Sequence, residues 1–166
     1  MKILGIDPGT EKSGIVLWNK GAGLGDSISY PDVLSNEEIL GQIESINPDV
    51  VAIEWIQAMG MSVGKEVFET CLWAGRFVER GISCGISCRC VPRGVIKLHH
   101  CGTPHAKDSN IAAALRDKYG EKGTKKDPGF FYGVKDHAWQ ACAVAAYAAE
   151  GGRDPKELLY TFIIED

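Results

Sequence analysis

The sequence predicts an α/β domain on a central mixed five-stranded sheet flanked by helices, and three observations carry that prediction. Two short apolar runs, Ile3-Leu4-Gly5-Ile6 and Val50-Val51-Ala52-Ile53, read as buried strands. Each ends in a carboxylate, Asp7 and Glu54. A meander of short strands comes first, and helices and strands alternate after it.

The first strand ends where Pro8 and Gly9 turn the chain. Asp7 stands at that junction, and a carboxylate there is costly without a metal ion or hydrogen-bond donors. Acceptance from the turn amides is the simpler alternative. Ile15 to Trp18 return as a second strand, and Gly21 to Gly25 make a flexible turn. Ser27 to Tyr30 form a third strand that Pro31 ends. Ser35 is the N-cap of a helix whose first turn holds Glu37 and Glu38, with Ile39, Leu40, Ile43 and Ile46 at helical spacing. Asn47-Pro48-Asp49 stops that helix, and the Val50 run follows as a strand buried on both faces.

Residues 62–80 read as a long amphipathic helix with Val63, Val67, Leu72, Phe77 and Val78 on its apolar side, closed by Gly81. Ala74 and Gly75 permit close approach to the sheet or to a second subunit. Ile86 to Val91 form the fifth strand, ended by Pro92. Residues 93–105 read as a polar, irregular connection, and 106–119 as a helix with Ile111, Ala114, Leu115 and Lys118 three or four apart. Residues 120–132 mix glycine, lysine and aromatics, the ingredients of phosphate contact and base stacking, though an exposed flexible loop has the same composition. An alanine-rich helix spans 135–149. Residues 150–166 read as a tail of one domain spanning 1–166, with 158–164 docking as a strand or helix turn.

With 166 residues the chain can bury a real core. No apolar run approaches a membrane span and no signal peptide is evident, so a cytoplasmic protein with six reduced cysteines is expected. The net charge of −4 argues against a general nucleic-acid binder, yet Lys107, Lys118, Lys122, Lys125 and Lys126 gather in one region. Cys84, Cys88, Cys90, His99, His100, Cys101 and His105 raise a zinc site, but their spacing lacks the usual C-x2-C pairs. Glu66 and Glu69 read as a solvated helix face.

Asp7, Glu54 and the pair Asp136-His137 are the candidate catalytic and metal-ligating groups. Two acids from neighbouring strands meet at one edge of a sheet, and a helix opening at Asp136 can bring a third group to them. For Asp136 the alternative is a helix-dipole partner, and for His137 a surface histidine. Such oxygen-rich sites suit Mg²⁺ or Mn²⁺, and two such ions support phosphodiester cleavage.

Gly5-Ile6-Asp7-Pro8-Gly9-Thr10, then Val51-Ala52-Ile53-Glu54 with a long helix after it, Lys107 opening a later helix, and Asp136-His137-Ala138-Trp139-Gln140-Ala141-Cys142-Ala143 resemble, in that order, the motifs of RuvC-type Holliday-junction resolvases. The lysine-rich loop resembles phage-encoded members. The resemblance covers nearly the whole chain. It implies an RNase H-like fold, a homodimer through the 62–80 helix, and paired nicking of four-way DNA junctions with two Mg²⁺ or Mn²⁺ ions per site. It assigns Asp7 and Glu54 to the first two acids and His137 to the third position. Lys107 falls in the basic segment near the site, and Lys125 and Lys126 are further candidates for DNA contact. Gln140 stands where the fourth acid is expected. Either Asp136 then supplies the missing charge, or the chain is a catalytically weak branched-DNA-binding protein. The Gly-Ile-Asp opening also resembles actin-like ATPases and sugar kinases, whose two lobes need more than 166 residues.

Overall fold

The computed structural model describes residues 1–21, 25–57 and 62–152, and the backbone of 160–162. The five predicted strands are β1 (Lys2–Asp7), β2 (Lys12–Asn19), β3 (Ser27–Ser35), β4 (Val50–Trp55) and β5 (Ser87–Pro92). A three-residue strand, β6 (Tyr160–Phe162), is the part of the predicted docking segment that lies within the described residues. The sheet order is β3-β2-β1-β4-β5-β6. β1 pairs antiparallel with β2 and parallel with β4, β5 continues the parallel part, and β6 pairs antiparallel with β5.

Among the described residues five helices complete the fold: α1 (Asn36–Ile46), α2 (Lys65–Ser83), α3 (Arg93–Cys101), α4 (Asp108–Tyr119) and α5 (Ala138–Ala149). Because side chains alternate along a strand, the sheet builds two cores. On one face Ile3, Val16, Trp18 and Ala52 meet α3, α4 and the whole of α5. On the other Leu4, Ile6, Val51 and Ile53 meet Ile39 and Ile43 of α1 and Phe77 of α2.

The alternation also places the acids. Gly5 pairs with Ala52 and Ile6 with Ile53, so one further step sets Asp7 level with Glu54. Both project to the α5 face, in phase with Ile3 and Ala52. α5 lies unusually close to that face. A Cβ on Gly5 would come 2.3 Å from the Ala141 carbonyl oxygen, and one on Gly14 would come 2.4 Å from that of His137. Only glycine admits this approach, and it fixes the start of α5 above Asp7.

Several boundaries differ from those predicted. Pro31 does not end β3, which continues to Ser35. The strand is at the sheet edge, and a register shift opposite Ile15–Leu17 accompanies Tyr30 at φ 53°, so a residue lacking N–H is accommodated. α2 starts at Lys65 rather than residue 62 and continues through Gly81 to Ser83. Gly81 is buried there because a Cβ would lie 2.3 Å from Cys88 Sγ. Ala74, Phe77 and Val78 are buried as predicted, whereas Leu72 is 64% exposed beside Phe68 at 67%. The 93–105 segment is not irregular, since α3 occupies most of it. Lys118 turns outward to Glu150 instead of joining the apolar side of α4. The N-terminus of α1 matches prediction, with Ser35 and Glu38 forming a reciprocal cap. Residues 22–24 of the glycine turn, and most of the tail after 152, lie outside the described residues. Among the described residues no helix is long and apolar enough to cross a membrane.

Candidate active site

The turn after β1 is held by a closed hydrogen-bond circuit. Gly9 N–H donates to Ser13 Oγ (3.1 Å), which donates to Asn36 Oδ1 (2.6 Å), while Asn36 Nδ2 donates back to the Gly9 carbonyl (3.1 Å). Ser13 and Asn36 are buried. Gly9 N–H is therefore given to Ser13 and not to Asp7. Asp7, 6% exposed, instead accepts from His137 Nδ1 at 3.0 Å.

Glu54 is 1% exposed. Its Oε1 accepts from Arg93 Nη1 at 2.8 Å, and its Oε2 is buried with no hydrogen-bond partner. Burial and, after it, the charge of Asp7 push the Glu54 carboxyl up to about 8, against the pull of Arg93. Burial also raises Asp7, opposed by His137 and Arg93. Two buried carboxylates in register thus have too few donors between them.

Above them opens a cleft of about 410 Å³, lined by Asp7, Arg93, Asp108, Asp136, His137 and Gln140 among others. Of the sequence-predicted groups, Asp7, Asp136 and His137 line this cleft, and Glu54 is buried in register beside Asp7 without lining it. Asp136 and His137 precede α5 instead of lying in its first turn, His137 being the N-cap. Asp136 is exposed at φ 42°, a left-handed conformation that Asp tolerates better than most residues. Gln140 is 6% exposed, and its Oε1 is buried without a partner.

Arg93 and Asp108 are site residues that sequence reasoning missed. Arg93 opens α3 directly beyond β5, and its Nη2 donates to Asp108 Oδ2 at 2.7 Å while Nη1 holds Glu54. Lys97, one turn on, pairs with Asp108 Oδ1 at 3.3 Å. Against its partial burial, Asp108 is held below the usual carboxylate range by Arg93 and Lys97. The available signal was an acid beside Lys107 at a helix start, which a dipole partner explains equally well.

The predicted DNA-contacting lysines do not line the cleft. Lys107 is the exposed N-cap of α4, beside Asp108. Lys125 and Lys126 are exposed at the tip of a turn closed by Thr124 N–H donating to the Asp127 carbonyl at 2.8 Å. Two aromatics of that loop are not free to stack on bases: Phe131 is fully buried, and Phe130 packs against Trp18 and Tyr119.

The cysteines are free thiols, and burial pushes Cys88 up to about 11 and Cys90 up to about 12. Among the described residues, the group whose candidate ligand atoms lie within 4.8 Å of one another is His99, His100 and Glu150, outside the cleft. That group could hold a metal ion, but Glu150 already accepts from His99, Lys118 and Tyr119. Gln140 Oε1 in the cleft wall and Glu54 Oε2, buried in register beside Asp7, are unpartnered oxygens, the donor type that a hard divalent cation takes.

The chain resembles Thermus thermophilus RuvC with a TM-score of 0.68 at 19% identity, over 92% of this chain and 98% of that one. A second structure, of T. thermophilus RuvC in complex with Holliday junction substrate, matches at 0.67 and 20% identity, over 92% and 97% of the two chains. The yeast mitochondrial Holliday junction resolvase matches at 0.56 and 10% identity, over 90% of this chain and 78% of that one. The fold is the RNase H-like fold of RuvC. No family model matches the sequence, and no curated protein matches it either.

Proposed function

We propose that the chain is a metal-dependent, structure-specific endodeoxyribonuclease that resolves Holliday junctions or related branched DNA by paired nicks. The observation that carries this reading is Glu54, a fully buried carboxylate in register beside the cleft residue Asp7, with one oxygen left unmatched. The RuvC fold and the order of the sequence motifs support the DNA substrate.

Asp7 and Glu54 would hold Mg²⁺ or Mn²⁺ from the sheet side, with Asp136 and His137 across the cleft. Ions bound there would supply an activated water and charge to neutralise a leaving oxygen. His137 donates through Nδ1 to Asp7, which leaves Nε2 to position that water or take up a proton. The pinned turn after β1 holds Asp7 in place as the phosphodiester approaches. Lys107, Lys125 and Lys126 would contact phosphates outside the cleft. Phe68 and Leu72, four residues apart and exposed on α2, would pair with the same helix of a second copy, bringing two sites to one junction. The reading places the protein in the cytoplasm of a bacterium or phage-infected host.

The second reading, a branched-DNA-binding protein that cleaves weakly, rests on Gln140 in place of an acid and on Arg93 occupying Glu54. Purified protein incubated with four-way, forked, duplex and single-stranded DNA, in Mg²⁺, Mn²⁺ or chelator, separates them. Symmetric nicks at the four-way junction that vanish with chelator are expected. Junction binding without nicks would favour the second reading, and cleavage of all substrates alike would refute junction specificity.

A further inference from the structure

Position 140 offers the cleft a neutral amide and no charge, and the cleft contains a carboxylate from another element. Asp108 lies in the first turn of α4, far in sequence from the other site residues, yet it lines the same cleft as Asp7, Asp136 and Gln140. It is tied directly to the buried acid: the planar guanidinium of Arg93 spans Glu54 Oε1 (2.8 Å) and Asp108 Oδ2 (2.7 Å). The two carboxylates are therefore no farther apart than one guanidinium fork and its two hydrogen bonds. Carboxylates held by one guanidinium face the same space, which an inorganic cation can enter when the guanidinium leaves and the side chains close in.

Two further observations point to a ligand there. Glu54 Oε2 and Gln140 Oε1 are both buried, and neither has a partner. Unmatched buried oxygens are costly, so they persist where something completes them. Arg93 meets only one oxygen of Glu54 and does not reach Gln140.

We propose that Asp108 supplies the cation-binding carboxylate that position 140 lacks, with Gln140 as a neutral oxygen beside it, and that Arg93 bridges Glu54 and Asp108 as an internal counter-cation until metal enters. Arg93 is a positioning residue in this scheme. Its fork satisfies the acids of the metal-free protein, and its release frees a cation at the cleft for a DNA phosphate. Lys97 keeps Asp108 oriented through the other oxygen. The proposal rests on the metal-dependent reading of the Asp7–Glu54 site.

The test is Mn²⁺ binding to the metal-free full-length protein, followed by the electron paramagnetic resonance signal of free Mn²⁺ and by calorimetry, without DNA. The parent is expected to bind a tighter and a weaker ion. Asp108→Asn should weaken the weaker ion about tenfold or more and spare the tighter one, as loss of one carboxylate ligand or orienting partner does. Gln140→Asp in the Asp108→Asn background should restore the weaker ion. Arg93→Gln should tighten Mn²⁺ binding, because no guanidinium then competes. Asp7→Asn distinguishes the two levels. If it weakens binding while Asp108→Asn binds as the parent does, the Asp108 proposal is overturned and the Asp7–Glu54 reading stands. If Asp7→Asn leaves binding unchanged, that reading itself is wrong. Thermal melts show whether each variant is folded; Asp108 is exposed at a helix start, where Asn is also favourable.

Discussion

The two ends of α5 carry opposite electrostatic arrangements. At its C-terminal end, Glu150 is partly buried and still has three donors. His99 Nε2, Lys118 Nζ and Tyr119 Oη all donate to it, and against its burial these contacts lower it to about 2. Three helices are thereby fastened at one carboxylate. At the N-terminal end, Glu54 and Asp7 share Arg93 and His137, and burial raises both. The fold can clearly satisfy a shielded acid. Glu54 Oε2 without a partner is the feature of that end on which the proposed ligand site rests, whereas Glu150 at the other end is fully engaged in packing three helices.

The largest expected effect is on chemistry. Asp7→Asn removes a carboxylate worth several kcal/mol of transition-state stabilisation if it holds a cation. Junction cleavage should then fall about a thousandfold or more in a gel assay, while a mobility-shift assay shows binding retained. The same comparison of α5's ends predicts opposite thermal shifts. Glu150→Gln should lower Tm by about 4 °C and leave cleavage unchanged, because it strips charge-assisted hydrogen bonds worth about 1–2 kcal/mol after allowance for solvent screening. Glu54→Gln in metal-free protein at pH 8 should hold or raise Tm, because it removes a buried charge that lacks donors.

The pH dependence follows the same division. Glu54 is raised from 4.5 to about 8, so the native state binds the extra proton and this group's contribution to stability falls as pH rises across that window. Glu150 is lowered from 4.5 to about 2, so its contribution is present above about 4.5 and is lost as pH falls toward 2. Urea melts of metal-free parent and Glu54→Gln should diverge between pH 5 and 8, and parallel curves would contradict the assignment. Smaller effects are expected farther out. Asp136→Asn should slow cleavage about tenfold, more than Gln140→Ala does. Leu72→Glu with Phe68→Glu should convert a dimer to a monomer in light scattering while the far-ultraviolet dichroism persists.

Asp7 and Glu54 were legible because each interrupts an apolar strand at its end, and a period of two then fixes their common face. The alanines of α5 were legible as a face able to pack tightly on the sheet and carry Asp136-His137 to the strand ends, but Gly5 and Gly14 as the partners that admit the approach were not. Arg93 escaped notice because its helix follows Pro92 with no side-chain cap and carries Gly94, so residues 93–105 lacked a start signal. Its partner Glu54 lies 39 residues away, a pairing that no local pattern encodes. Asp108 was overshadowed by Lys107, and a first-turn acid has an ordinary explanation. Pro31 misled because the edge position that tolerates it is a property of the sheet and not of the strand.

The most direct measurement is cleavage of a synthetic four-way junction by parent and Glu54→Gln, each in Mn²⁺ and in chelator. Paired nicks by the parent in Mn²⁺ alone, lost in the variant although it still binds the junction, are the expected result. Equal cleavage by the two proteins, or cleavage that survives chelation, would contradict the placement of the metal-dependent site at the ends of β1 and β4.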